Sequence, residues 1–197
     1  MSEHVSASVD RERFYNPFAE LAHASGVLLD TAKGLKDGYF YQWMSSILVS
    51  AFALEGFLNL IGQRLFPCWK RLERRLSPIA KLELIAHAAQ APLDHNARPY
   101  QTIGKLFKFR NDLAHPKPQR LRPKPSREQG DLESIRRNYP RVPWEAECSA
   151  EFAQRVREDV AAVSQALCKA AGLEAYELPK GVDSYTIGFL DPPTRET

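Results

Sequence analysis

The stretch YFYQWMSSILVSAFALEGFLNLIGQRL, residues 39–65, decides the fold class of this chain. Its side chains recur every three or four positions along one line, which is the period of an α-helix. That line holds Met44, Ile47, Ala51, Glu55, Leu58 and Gly62. Pro67 follows and cannot continue a helix. The sequence therefore predicts one long helix from about Tyr39 to Leu65.

The same stretch is about long enough to cross a bilayer. Residues 44–62, however, include three serines, the amide of Asn59 and the carboxylate of Glu55. A carboxylate near the middle of a membrane costs about 2.5 kcal/mol or more. We therefore expect a buried helix of a helical bundle and no membrane partner.

Further helices follow from the same periodicity. Asn16-Pro17 and Ser77-Pro78 each pair a capping residue with a first-turn proline, which is typical of helix starts. A helix that leads into His115 must stop there, because Pro116 has no backbone N–H and disfavours helical geometry in the residue before it. The predicted helices cover about residues 17–35, 39–65, 78–89, 99–115 and 152–172.

We expect an all-α fold from this order of elements: an antiparallel four-helix up-and-down bundle with one short helical insertion. The bundle spans residues 10–172 and is interrupted by a long basic loop, residues 116–142, that contains five prolines. Residues 173–197 form a C-terminal extension. Within it, residues 185–190 are expected to lie against the bundle as an extended arm.

Composition places the chain among soluble single domains, since 44% of its 197 residues are hydrophobic and its net charge is +3. Three widely spaced cysteines form no disulfide framework, and the N-terminus lacks a signal peptide, so we expect a cytoplasmic protein. The sequence shows no metal-ligand spacing, no glycine-rich phosphate loop and no activated thiol. We expect no metal and no cofactor.

Residues 107–117, FKFRNDLAHPK, contain the best candidates for chemistry. Asn111 and His115 are four residues apart and share a helix face, whereas Arg110 is displaced from Asn111 by about 100° around the axis. A histidine at a helix C-terminus is suited to proton transfer near neutral pH. An arginine offers a permanent cation whose planar fork fits a phosphate. The alternative is that Arg110 pairs with an acid and His115 only caps the helix.

Glu55 supports a functional role for this segment. A carboxylate within the apolar line of a helix needs a partner. Arg110 is the best candidate partner in the chain. Asn59, one turn beyond Glu55, is placed to support the same polar seam. The alternative here is a structural salt bridge that fixes the register of two helices.

Basic residues surround this segment and favour contact with the phosphates of a nucleic acid. The candidates for RNA binding are Lys105, Lys108, Lys117, Arg120, Arg122 and Lys124. The alternative is that the loop is a solvated run of charges.

Two segments carry a resemblance to a known family. FRNDLAH, residues 109–115, resembles the arginine, polar residue and histidine of HEPN domains, and SAFALEGFLN, residues 50–59, is similar to the glutamate-bearing second helix of many members. The resemblance covers about residues 10–172 and implies a helical bundle. The long basic loop and the C-terminal extension depart from a minimal HEPN domain.

The resemblance implies a metal-independent endoribonuclease of toxin or defence type. Arg110 and His115 would be catalytic, with Asn111 and Glu55 in support. A homodimer would supply two histidines, an acid and a base, to one RNA. A cognate antitoxin or a nucleotidyltransferase would be the protein partner. The alternative is a catalytically inactive HEPN-like module that binds RNA, a nucleotide or a partner protein.

Overall fold

The computed structural model describes residues 7–13, 15–122, 127, 129–132, 135, 139–173 and 183–189. This described part is mostly helical, which confirms the coarse expectation of a helical, bundle-like fold. The helices are α1 (Pro17–Lys33), α2 (Tyr39–Leu65), α3 (Trp69–Leu72), α4 (Pro78–Ala88), α5 (Tyr100–Ala114), α6 (Pro143–Glu147) and α7 (Ala150–Ala170).

The central element is α2, which contacts α1, α4, α5 and α7. Its fully buried side chains include Ile47, Leu54, Phe57 and Leu58. By length and composition alone α2 could cross a membrane, with a mean hydropathy of 1.6 over its most apolar window, yet half of that window is buried inside the protein. Its apolar surface is therefore used to a large extent by its neighbours in the fold.

Three buried serines join α1 to α2. Ser46 Oγ donates to the Ser25 carbonyl at 2.8 Å, and Ser50 Oγ donates to the Ser46 carbonyl at 2.8 Å. The hydroxyls of Ser25 and Ser50 lie 2.6 Å apart. These bonds satisfy hydroxyls that would otherwise destabilise the core. Two of the serines that argued against a membrane helix, Ser46 and Ser50, thus help to fix the register of two packed helices.

The predicted helix starts are confirmed by their caps. The Asn16 side chain accepts a hydrogen bond from the Phe18 N–H at 3.1 Å, and Ser77 accepts one from Ala80 at 3.2 Å. The predicted end of α5 is also confirmed, because the helix stops at Ala114 and His115 has non-helical backbone angles.

Other details differ from the sequence prediction. The short helices α3 and α6 were not predicted, and α1 ends at Lys33. In the basic loop, the Ile135 N–H donates to the Asp131 carbonyl at 3.1 Å, which is the residue spacing of an α-helical hydrogen bond. Residues 123–126, 128, 133, 134 and 136–138 of that loop lie outside the described residues.

The two ends of the described chain form a pair of strands, β1 (Ala7–Arg13) and β2 (Asp183–Phe189). They pair antiparallel, with Val9 opposite Ile187 and Asp10 opposite Thr186. The expected extended segment near residues 185–190 is therefore present, but its partner is β1, which the sequence analysis missed. Leu190 and the rest of the extension lie outside the described residues.

Gly62 allows α2 and α3 to approach closely. A Cβ atom at this position would overlap the indole of Trp69, which is 1% exposed. The side chain of Trp69 thus occupies the space that any other residue at position 62 would need. This contact fixes the chain where it leaves α2 and enters α3.

Candidate functional site

The predicted contact between Glu55 and Arg110 is present. The Nη2 of Arg110, on α5, lies 3.3 Å from the Oε2 of Glu55, on α2. Both side chains are about one quarter exposed. The carboxylate that lies in the apolar line of α2 is thus paired, as its position requires.

Glu55 has a second cationic partner, Lys81 of α4, which the sequence analysis missed. The Nζ of Lys81 lies 3.1 Å from Glu55 Oε1, and the Lys81 side chain is only 3% exposed. A lysine is rarely this deeply buried unless it is paired. One signal existed in the sequence, because Lys81 lies one turn before Ile85 on the apolar face of α4.

These charges border an open depression of about 600 Å³, here called the Arg110 depression. It is lined by Glu55, Asn59, Glu73, Arg74, Leu76, Ser77, Pro78, Lys81, Arg110 and Asn111. Asn59 therefore reaches the polar seam that the sequence predicted. Its Oδ1 is buried and accepts no hydrogen bond within the described chain.

Arg110 makes two further contacts. Its Nη1 donates to the side-chain oxygen of Asn111 at 3.0 Å, and its guanidinium carbon lies 6.0 Å from the ring centroid of Phe52. Phe52 is 40% exposed on α2, so an aromatic face lies open beside the cation. These contacts orient the guanidinium, and among the described residues its Nε makes no hydrogen bond.

His115 lines a second, neighbouring depression of about 950 Å³, here called the His115 depression. It is lined by Lys108, Asn111, Asp112, His115, Pro116, Lys117, Pro118, Gln119, Val142, Pro143 and Trp144. His115 is exposed, and its backbone N–H closes the last turn on the Asn111 carbonyl at 3.0 Å. Within the described ranges its imidazole makes no hydrogen bond or ion pair.

Helix geometry explains why Arg110 and His115 line different depressions. Five residues along an α-helix correspond to a rotation of about 140°, whereas the four from Asn111 to His115 correspond to about 40°. Asn111 accordingly lines both depressions, and Arg110 and His115 line one each. Within one chain the two candidate catalytic groups therefore line neighbouring depressions that share Asn111 as a lining residue.

The candidate RNA-binding cations differ in how much free charge they offer. Lys108 is paired with Asp112 at 3.0 Å, and this hydrogen bond raises the pKa of Lys108. Lys105, Lys117, Arg120 and Arg122 are exposed. Lys124 lies outside the described residues. Lys108 is exposed as well, so it differs from the other four in having an acidic partner among the described residues.

Other chemistry is weakly supported by the described residues. They contain no group of three or more histidine, cysteine or acidic side chains arranged to hold a metal ion. Burial raises the pKa of Cys148 to about 12. Since the thiolate is the nucleophilic form, this shift disfavours Cys148 as a nucleophile at neutral pH.

The structure also brings in residues that the sequence analysis did not place at the site. These residues are Phe52, which lies beside Arg110, and Trp144. Trp144 does pack edge-on against Phe109, with ring centroids 6.0 Å apart, but it also lines the His115 depression. No local pattern signals this, because the position of Trp144 depends on the path of the intervening loop.

Comparisons with known proteins add no relative to this picture. No protein-family model, curated protein or solved structure matches the chain.

Proposed function

We propose that the protein is a metal-independent endoribonuclease of HEPN type, with its four longer helices arranged as an antiparallel up-and-down bundle. One observation carries the proposal: Glu55 of α2 contacts Arg110 of α5, and His115, exposed and without a competing partner in the described chain, caps the C-terminus of the same helix. Arg110 supplies the fixed positive charge, and His115 transfers protons.

The proposed reaction begins with attack of an RNA 2′-hydroxyl oxygen on the adjacent phosphorus. A base removes the hydroxyl proton as the new O–P bond forms. The P–O5′ bond then breaks, and an acid protonates the leaving 5′-oxygen. The products are a 2′,3′-cyclic phosphate and a 5′-hydroxyl, and Arg110 stabilises the negative charge that develops on the phosphate in between.

The reaction chemistry gives a direct test. RNA cleavage by the purified wild-type protein is expected to persist in excess EDTA, because Arg110 and His115 supply the charge and the protons. Product ends should be a 2′,3′-cyclic phosphate and a 5′-hydroxyl by mass spectrometry. A matched RNA with a single 2′-deoxy nucleotide at the cut site should resist. Cleavage that EDTA abolishes would contradict the proposal.

A homodimer is part of the proposal, since one chain offers one such histidine whereas the reaction needs a base and an acid. A two-fold axis would set the partner subunit's His115 across a shared groove. Sedimentation at micromolar concentration is expected to give a dimer. A monomer that still cleaves RNA would refute the shared site.

The basic loop is proposed to bind the RNA backbone away from the reacting phosphate. Replacing Arg120, Arg122 and Lys124 by glutamine should weaken RNA binding. The slope of log binding constant against log salt concentration should become shallower by about three or less. The rate of the bond-breaking step should be nearly unchanged. Fluorescence anisotropy at several salt concentrations measures the first effect, and single-turnover rates at saturating protein measure the second.

The matched control for this experiment neutralises three exposed cations elsewhere, Lys36, Arg155 and Lys169. It keeps the same change in net charge. Equal weakening by both triple variants would show a non-specific charge effect rather than a loop that binds RNA.

A second candidate function is an inactive HEPN-like module that binds RNA, a nucleotide or a protein such as a cognate antitoxin or a nucleotidyltransferase. The observation that favours it is the separation of Arg110 and His115 into two depressions within one chain. RNA binding without cleavage in the tests above would select this alternative.

A further inference from the structure

Lys81 is a buried cation that the proposed reaction does not use. We propose that Lys81 is a positioning residue: it neutralises Glu55, so that Arg110 is held in place but keeps its charge available for an anion. This inference rests on the proposed function, in which Arg110 faces a phosphate, and it assigns a role to a residue outside the HEPN-like motif.

The two oxygens of Glu55 are divided between the two cations. Oε1 faces Lys81 at 3.1 Å, and Oε2 faces Arg110 at 3.3 Å. The cluster therefore has two formal positive charges and one negative charge, a net charge of +1. Without Lys81, Glu55 and Arg110 would sum to zero, and both carboxylate oxygens would be free to engage the guanidinium fork.

Burial decides which cation carries most of the neutralisation. The Lys81 side chain is 3% exposed, whereas the Arg110 side chain is 26% exposed. An ion pair shielded from water interacts more strongly than one at the solvent boundary. Glu55 is thus bound mainly to Lys81 from inside the fold, and Arg110 contacts the remaining oxygen from the solvent side.

The surroundings of Arg110 agree with a cation open to an anion. Its remaining described contacts are the neutral amide of Asn111 and the ring of Phe52, and neither cancels its charge. Arg74 lines the same depression. The carboxylate of Glu73 also lies there and offsets the charge of Arg74 in a formal count. The net positive charge of the depression therefore comes from the cluster of Arg110, Glu55 and Lys81.

The experiment measures anion binding directly, with inorganic pyrophosphate as the probe in calorimetric titrations at low salt. Lys81→Met removes the buried charge with a side chain of similar length. We expect it to weaken pyrophosphate binding by about tenfold, the effect of 1.4 kcal/mol. The double variant Lys81→Met/Glu55→Gln removes both charges, restores the net +1 at Arg110, and should restore wild-type affinity within about threefold.

Arg110→Ala is the control that locates the probe, and it should weaken binding at least as much as Lys81→Met. A merely structural lysine predicts no recovery in the double variant, so recovery is the decisive readout. Thermal unfolding of every variant shows that it is folded. Unchanged affinity in Lys81→Met, no recovery in the double variant, or no effect of Arg110→Ala would each overturn the inference.

RNA cleavage by the same variants separates this inference from the proposed function. If pyrophosphate binding follows the expected pattern and even the wild-type protein cuts no RNA, the role of Lys81 stands and the endoribonuclease proposal fails. If RNA is cut but pyrophosphate affinity does not depend on the charge of Lys81, the endoribonuclease proposal stands and the role of Lys81 fails.

Discussion

Replacing His115 by alanine is expected to lower the rate of RNA cleavage by about 10²–10⁴-fold, the usual contribution of a positioned acid or base. RNA binding should be retained, because the cations of the basic loop are unchanged. The free energy of unfolding should change by less than about 0.5 kcal/mol, since His115 is exposed. Single-turnover cleavage of a labelled RNA measures the rate.

His23→Ala is the matched control, because His23 is an exposed histidine on α1, outside both depressions. It should cleave RNA like the wild type. Full activity in His115→Ala would remove His115 from the reaction. Expressed in cells, the wild-type chain should arrest growth if it is a toxin, and the His115→Ala chain should not.

Replacing Glu55 by alanine is expected to lower the free energy of unfolding by about 3 kcal/mol. This change leaves the ammonium of Lys81 buried without its acidic partner, and breaking a buried ion pair in this way costs about 3–5 kcal/mol. The lower end applies because Glu55 is itself 24% exposed. Urea denaturation followed by circular dichroism measures the loss.

Glu83→Ala provides the comparison, since Glu83 is also a paired carboxylate, 3.2 Å from His95, but about half exposed. Its removal should cost less than about 1 kcal/mol. Similar losses in the two variants would contradict the view that Lys81 depends on Glu55. Inactivity of Glu55→Ala must accordingly be compared with its stability before it is assigned to catalysis.

The parts of the fold that local patterns determine were predictable. The bounds of α2 follow from its periodicity between Gly38 and Pro67, and the end of α5 follows from Pro116. The contact between Glu55 and Arg110 was predictable because a carboxylate in an apolar line needs a cation. Each of these inferences uses residues within one helix, or a charge that burial makes costly.

The parts that depend on distant contacts were not predictable. The strand β1 reads as ASVDRER, which is too polar to indicate a strand, and its partner β2 lies more than 160 residues away. Lys81 was overlooked because a lysine in a short helix is ordinarily exposed. The separation of Arg110 from His115, in contrast, follows from the helical period, because five residues correspond to a rotation of about 140°.

The contact between Gly62 and Trp69 means that a mutation outside the candidate site can disturb the site. Because an added methyl group at residue 62 would collide with a buried indole, any substitution there must displace α3 or end α2 differently. Lys81 follows the end of α3 by only nine residues. A screen for loss-of-function mutations should therefore recover Gly62 alongside Arg110 and His115, and second-site suppressors of it should cluster at residue 69.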